Sequence, residues 1–181
     1  MQKSKTKKVN ILRILGIDPG IAIVGFGVIE YDNMHFKVID YGAITSPAHT
    51  PVPSRLKMIY DDLTYVIEKY KPDEMAIEEL FYNNNAKTVI NVGQARGVLI
   101  LAGENHNVPV FEYTPLQVKQ GVVGYGRAEK KQVQQMVKNI LNLHEVPKPD
   151  DTADALAIAI CHAHSSGGVN RLITTLKNGN L

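Results

Sequence analysis

The apolar run Ile14-Leu15-Gly16-Ile17 stops abruptly at Asp18-Pro19-Gly20, and this boundary restricts what the chain can build more than any other stretch. A continuous run of this kind reads as a strand buried on both faces of a sheet. Residues 10–18 are therefore expected to form a strand that carries a carboxylate to its own C-terminal tip and then turns. Met75-Ala76-Ile77-Glu78-Glu79 repeats the arrangement with Glu78, and Asp151-Thr152-Ala153-Asp154 opens an apolar stretch with helical character. Holding a lone ionised carboxylate beside apolar strands is costly. Several converging on one point make physical sense when a divalent cation sits between them.

The order of elements decides whether they converge. Residues 22–31 and 34–43 read as strands joined by a turn at Asp32-Asn33, so the first three strands form an antiparallel meander. Residues 45–54 hold three prolines and read as a loop. Ser54 is expected to cap a helix on which Leu56, Ile59, Leu63, Val66, Ile67 and Tyr70 recur at helical spacing. Lys71-Pro72-Asp73 ends it, and residues 74–78 form the fourth strand. Phe81-Tyr82-Asn83-Asn84-Asn85 is a loop by composition, residues 86–105 a helix and residues 108–113 a fifth strand. Thr114-Pro115 starts a short helix through Lys119. Glycines 121, 124 and 126 mark a mobile loop, residues 128–143 are helical, and the last helix spans residues 151–164.

This order predicts an α/β fold, a mixed five-stranded sheet with helices on its faces. The first and fourth strands lie side by side, which sets Asp18 and Glu78 at neighbouring tips. The closing helix brings Asp151 and Asp154 to the same edge, one turn apart on one face.

The chain has 181 residues, 44% hydrophobic and 21% charged, enough for one domain with a packed core. It has no apolar stretch of membrane-spanning length and no apolar leader, so no membrane association is expected. The single cysteine, Cys161, suits a reducing compartment, and a cytoplasmic location is expected. Net charge is +2, but Lys3, Lys5, Lys7 and Lys8 lie in the first eight residues, and subtracting them leaves −2 for the rest. Two divalent cations on four carboxylates would return that body to a positive balance. Residues 1–12 read as a flexible basic extension, 13–165 as the folded domain and 166–181 as a tail.

Each motif has a plainer reading. Asp18-Pro19-Gly20 is a turn signature. Asp151 and Asp154 suit a helix N-cap and its third residue, although Asp150 could cap equally well. Lys119, Arg127, Lys130 and Lys131 flank the glycine-rich stretch 121–126 and could meet phosphates; a solvated loop and helix start is the alternative. Phe81 and Tyr82 either pack in the core or stack on an unpaired base. Cys161, His162 and His164 fit no zinc spacing and read as packing or surface residues.

Taken together, RILGIDPG (13–20), AIEELF (76–81), GQARG (93–97), VFEY (110–113), VKQGVVG (118–124), AEK (128–130) and DTADALAIAI (151–160) resemble the RuvC family of bacterial Holliday junction resolvases. The motifs run in order from Arg13 to about His164; residues 1–12 depart from the family pattern. The resemblance implies a ribonuclease H-like fold, a homodimer, and magnesium-dependent cutting of four-way junction DNA. The family's acidic catalytic positions fall on Asp18, Glu78, Asp151 and Asp154, with two magnesium ions per subunit and manganese as a substitute. Its basic positions near the scissile phosphate fall on Lys119 and Lys130, and its base-stacking aromatic on Phe81. Tyr82, Arg127 and Lys131 are expected as further DNA contacts, and RuvA and RuvB as partners. Two rivals share the fold: a nucleotide-binding half of the sugar-kinase or actin kind, and a nuclease acting on RNA.

Overall fold

A computed structural model describes residues 11–32, 34–80 and 86–177. The strands are β1 (Leu12–Asp18), β2 (Ile23–Asp32), β3 (His35–Thr45), β4 (Glu74–Glu78) and β5 (Val110–Tyr113). The helices are α1 (Val52–Tyr70), α2 (Ala86–Asn105), α3 (Pro115–Val123), α4 (Lys130–Ile140) and α5 (Asp150–Lys177). The sheet order is β3-β2-β1-β4-β5. β1, β2 and β3 pair antiparallel, while β4 runs parallel to both β1 and β5. This is the expected mixed sheet, with β1 and β4 adjacent.

Alternation along β1 divides the core between two faces. Ile14 packs with the buried face of α5 and with Val118, Val133 and Val137. Leu15 and Ile17 face the other way, onto Ile59, Leu63 and Leu99 of α1 and α2. Helices therefore cover both faces. Residues 155–163 of α5 are all buried, Ala155, Leu156, Ile158, Ile160 and Ala163 among them, as suits a segment held between a sheet and other helices. Among the described residues no helix is long and apolar enough to cross a membrane.

Several boundaries differ from the sequence expectation. α1 begins at Val52 behind Pro51 rather than at a Ser54 cap. Pro53 fits inside the first turn, where a missing N–H leaves nothing unsatisfied. At its other end Lys71 takes a left-handed conformation (φ 49°) and its N–H returns to the Ile67 carbonyl. α3 runs on to Val123 behind a Thr114–Gln117 capping box. Gly121 therefore belongs to a helix, not to a mobile loop. A Cβ there would come within 2.9 Å of Cys161 Sγ, so the glycine serves the contact between α3 and α5. α5 begins at Asp150 and continues to Lys177, past the expected stop near His164.

One buried charge holds the turn after Asp18. Arg55 on α1 is 8% exposed. Its Nε donates to Ser46 Oγ at 2.8 Å, and its Nη2 donates to the carbonyls of Ile21 and Ser46 at 3.0 and 3.2 Å. Arg55→Met should lower stability by about 3 kcal/mol in urea unfolding, because it strips donors from buried acceptors. Arg55→Lys should recover little of that, since an ammonium lacks the planar fork.

Candidate active site

Parallel pairing of Ile17 with Ile77 makes Asp18 and Glu78 the next residues out of two adjacent strands. The third contributor reaches them because the sheet has glycines under α5. A Cβ on Gly16 would stand 2.1 Å from the Ala155 carbonyl oxygen, and one on Gly25 would stand 2.0 Å from that of Asp151. Gly25 is also the antiparallel partner of Asp18. The helix backbone therefore lies directly on the strand beside Asp18, which brings the Asp151–Asp154 turn to the strand tips. Because α5 starts at Asp150, Asp151 and Asp154 lie inside the helix and are free of the capping role.

Electrostatics report the convergence. Burial first, then the charges of Asp154, Glu78 and Asp151, push the Asp18 carboxyl up to about 8. Glu78 rises to about 7 through burial and Asp154, with Lys130 and Lys119 opposing. Asp154 is also raised, by burial, against a hydrogen bond from Lys130. Among the described residues no group of three or more acidic, imidazole or thiol side chains is placed so that it could hold a metal ion. The acids nonetheless stand close enough for their charges to repel one another, and carboxylate oxygens are the donors that a hard divalent cation takes.

The two expected lysines reach this cluster. Lys130 Nζ lies 2.8 Å from Asp154 Oδ2 and 3.7 Å from Asp150 Oδ2. Burial works to lower the Lys130 pKa, but the bond to Asp154 and the charges of Asp154, Asp150 and Asp18 outweigh it and raise it. Lys119, on α3, lowers the Glu78 pKa through its charge. Arg127 is exposed. Lys131 lines a groove of about 390 Å³ with Tyr125 and Met136. Phe81 and Tyr82 lie outside the described residues, as do the lysines of the N-terminal extension. His162 is buried between Tyr113 and Glu74, at 2.7 and 2.6 Å, and Cys161 is buried against the Gln117 carbonyl. Both are packing residues, as expected.

Sequence reasoning passed over three residues at the site's margin. Arg55 was not singled out, Arg96 entered only as part of the GQARG motif, and Asp150 only as an alternative cap. Asp150 instead sits between Lys148, at 3.0 Å, and Lys130. The small residues around Arg96 in Gly93-Gln94-Ala95-Arg96-Gly97 were the available signal that this helix runs close to something.

The model of the family described as crossover junction endodeoxyribonuclease RuvC matches residues 14–162. The chain belongs to the RuvC family. RuvC of Alkaliphilus oremlandii is 65% identical over 84% of this chain and 93% of its own length. RuvC of Clostridioides difficile is 62% identical over 91% of this chain and 95% of its own. Among solved structures, T. thermophilus RuvC in complex with Holliday junction substrate superposes with a TM-score of 0.82 at 35% identity, covering 86% of this chain and 94% of that one. The yeast mitochondrial Holliday junction resolvase, at 14% identity and a TM-score of 0.67 over 96% of this chain and 88% of its own, shares the fold. That fold is the ribonuclease H-like one expected for RuvC.

Proposed function

We propose that this RuvC-family endodeoxyribonuclease resolves four-way DNA junctions by metal-assisted phosphodiester hydrolysis, with residues 13–165 as its nuclease domain. The observation that carries the reading is the meeting of Asp18, Glu78, Asp151 and Asp154 from two strand tips and one helix turn. These four would hold two magnesium ions, or manganese in their place. Bound metal supplies an activated water and charge stabilisation for the attacking and leaving oxygens. Asp18 and Glu78, raised by burial and mutual repulsion, give up their protons more readily as positive charge arrives. Lys130 neutralises Asp154 and stands within reach of a phosphate placed on the acids. Lys119 approaches from the Glu78 side, so two cations flank the charge that builds up in the transition state. Phe81, just beyond Glu78, would stack on a base at the opened crossover, with Tyr82, Arg127 and Lys131 as outer contacts.

The deciding assay offers a four-way DNA junction and an RNA hairpin with and without magnesium. Cutting of the junction alone, and only with the ion, is expected. Cutting of the hairpin at a comparable rate would overturn the substrate assignment.

A homodimer is part of this reading, and α2 supports it. Ala95, Leu99 and Ala102 face the core, while Ile90 and Leu101 are 62% and 52% exposed. Gly97, on the same outer stripe, has open space where a Cβ would be. An apolar stripe with a small residue at its centre fits a second copy of itself across a two-fold axis. Ile90→Glu combined with Leu101→Glu should give a monomer in sedimentation velocity and reduce junction cleavage by more than about 10-fold, since two sites must act on one junction. A dimer that survives both charges would remove α2 from the interface. RuvA and RuvB as partners rest on the family resemblance alone.

A further inference from the structure

Arg96 has no part in the chemistry above, yet it reaches the backbone of one of the four acids. Its side chain is 15% exposed. Nε donates to the Glu78 carbonyl at 3.1 Å, and Nη2 makes a close ion pair with Glu112 on β5. Burial lowers the Arg96 pKa, with the Glu79 charge acting against it. Pairing between β1 and β4 runs out at Ile17 and Ile77, so the guanidinium meets the Glu78 carbonyl just past the end of that ladder. One helical turn before Arg96, Gly93 leaves room for Leu80, whose Cδ1 would stand 3.3 Å from a Cβ there. On the other side, Glu79 donates its N–H to the Tyr113 carbonyl at 2.8 Å. α2 and β5 thus grip the chain at Glu78, Glu79 and Leu80.

We infer that Arg96 is a positioning residue for Glu78. By donating to the peptide oxygen it sets the orientation of the strand's last residue, and the pair with Glu112 stops the guanidinium from following the strand if it moves. The inference rests on Glu78 being a metal-holding acid. Free of this restraint, the tip of β4 would let the carboxylate drift from the geometry that Asp18, on the neighbouring strand, shares with it. A displacement near 1 Å costs on the order of 100-fold in rate.

Arg96→Lys provides the test, because it keeps a cation for Glu112 but cannot donate to two directions from one plane. The expected result is a melting temperature close to the parent's, unchanged junction affinity, a fall in kcat of about 10- to 100-fold, and weaker binding of Mn2+ measured calorimetrically on the DNA-free protein. Glu112→Gln keeps the Nε donor and loosens only its anchor, so it should shift kcat and Mn2+ binding the same way by a smaller factor. Parental kcat and Mn2+ affinity in a folded Arg96→Lys protein would overturn the inference. If that variant does not fold, parental values for Glu112→Gln would do so. Glu78→Gln separates the two levels: a Glu78→Gln protein that still cuts defeats the assignment of Glu78 itself. An inactive Glu78→Gln beside a normal Arg96→Lys defeats only the role of Arg96.

Discussion

Asp18→Asn and Asp154→Asn should each give a protein that binds four-way junctions and does not cut them. Asp18→Asn should also melt at a higher temperature than the parent near pH 8 without divalent ions. The first outcome follows from charge: an amide keeps the shape of the side chain but cannot hold the cation against water. The second follows from the burial of the Asp18 carboxyl and then from its repulsion by Asp154, Glu78 and Asp151. The Asp18 carboxyl, at about 8 in the folded protein against an ordinary 3.8, and Glu78, at about 7 against 4.5, are both raised. Between the ordinary and raised values the folded state binds more protons than the unfolded chain, so stability falls as pH rises. The parent's melting temperature should therefore drop between about pH 5 and about pH 8, and millimolar Mg2+ should restore it at the upper end. Asp18→Asn removes the larger of the two titrations and flattens that slope. A gain of about 5 °C near pH 8 is expected, given ~2–4 °C per kcal/mol for a chain of this size. Scanning calorimetry across that range, with and without Mg2+, checks both statements. A melting temperature that rises with pH in the metal-free parent would contradict the raised carboxyls. Near-parental cutting by either variant would remove that acid from the site.

Gly25→Ala should be the most damaging substitution that alters no functional group, reducing cleavage by about 100-fold or more. The added methyl would meet the Asp151 carbonyl oxygen at 2.0 Å, and that atom belongs to helix backbone and cannot rotate away. The first turn of α5 must lift off the sheet or β2 must bend, and either movement separates Asp151 and Asp154 from Asp18. Circular dichroism should still show a folded protein, since the displaced turn lies at the end of a long helix whose later residues remain buried. Mn2+ binding to the DNA-free protein should weaken in parallel with cleavage. Loss of cutting with unchanged Mn2+ affinity would mean that the glycine matters for something other than the spacing of the acids.

Much of this arrangement could be read from local pattern. The carboxylates at the ends of β1 and β4 announce themselves because a strand buried on both faces tolerates a charge only where it leaves the sheet. The run of three strands, helix, strand, helix, strand is enough to set β1 beside β4, because a parallel strand needs a helical crossover while a meander does not. The helix start at Thr114-Pro115 and the stop at Lys71-Pro72 were legible for the same reason: each depends only on residues within a turn of it.

Positions whose meaning comes from a neighbour distant in sequence were not legible. Gly121 looked like loop composition because nothing nearby shows that Cys161 of α5 presses against it. Ser54 looked like a cap, and only the folded chain shows the helix starting three residues earlier, at Val52, with Pro53 in its first turn. Nothing within a turn of Arg55 or Arg96 sets either apart, yet each ends on a main-chain carbonyl at the exit of a strand that carries an acid. Local pattern was enough to show which acids end strands, how the elements follow one another and which family the motifs resemble. How closely α5 lies on Gly16 and Gly25, that Lys130 pairs with Asp154 while Lys131 lines a groove, and which face of α2 is left open come from contacts made on folding. Strand and helix periodicity are short-range properties of the backbone, whereas burial, ion pairing and helix-to-sheet distance are set by side chains that meet only after the chain has folded.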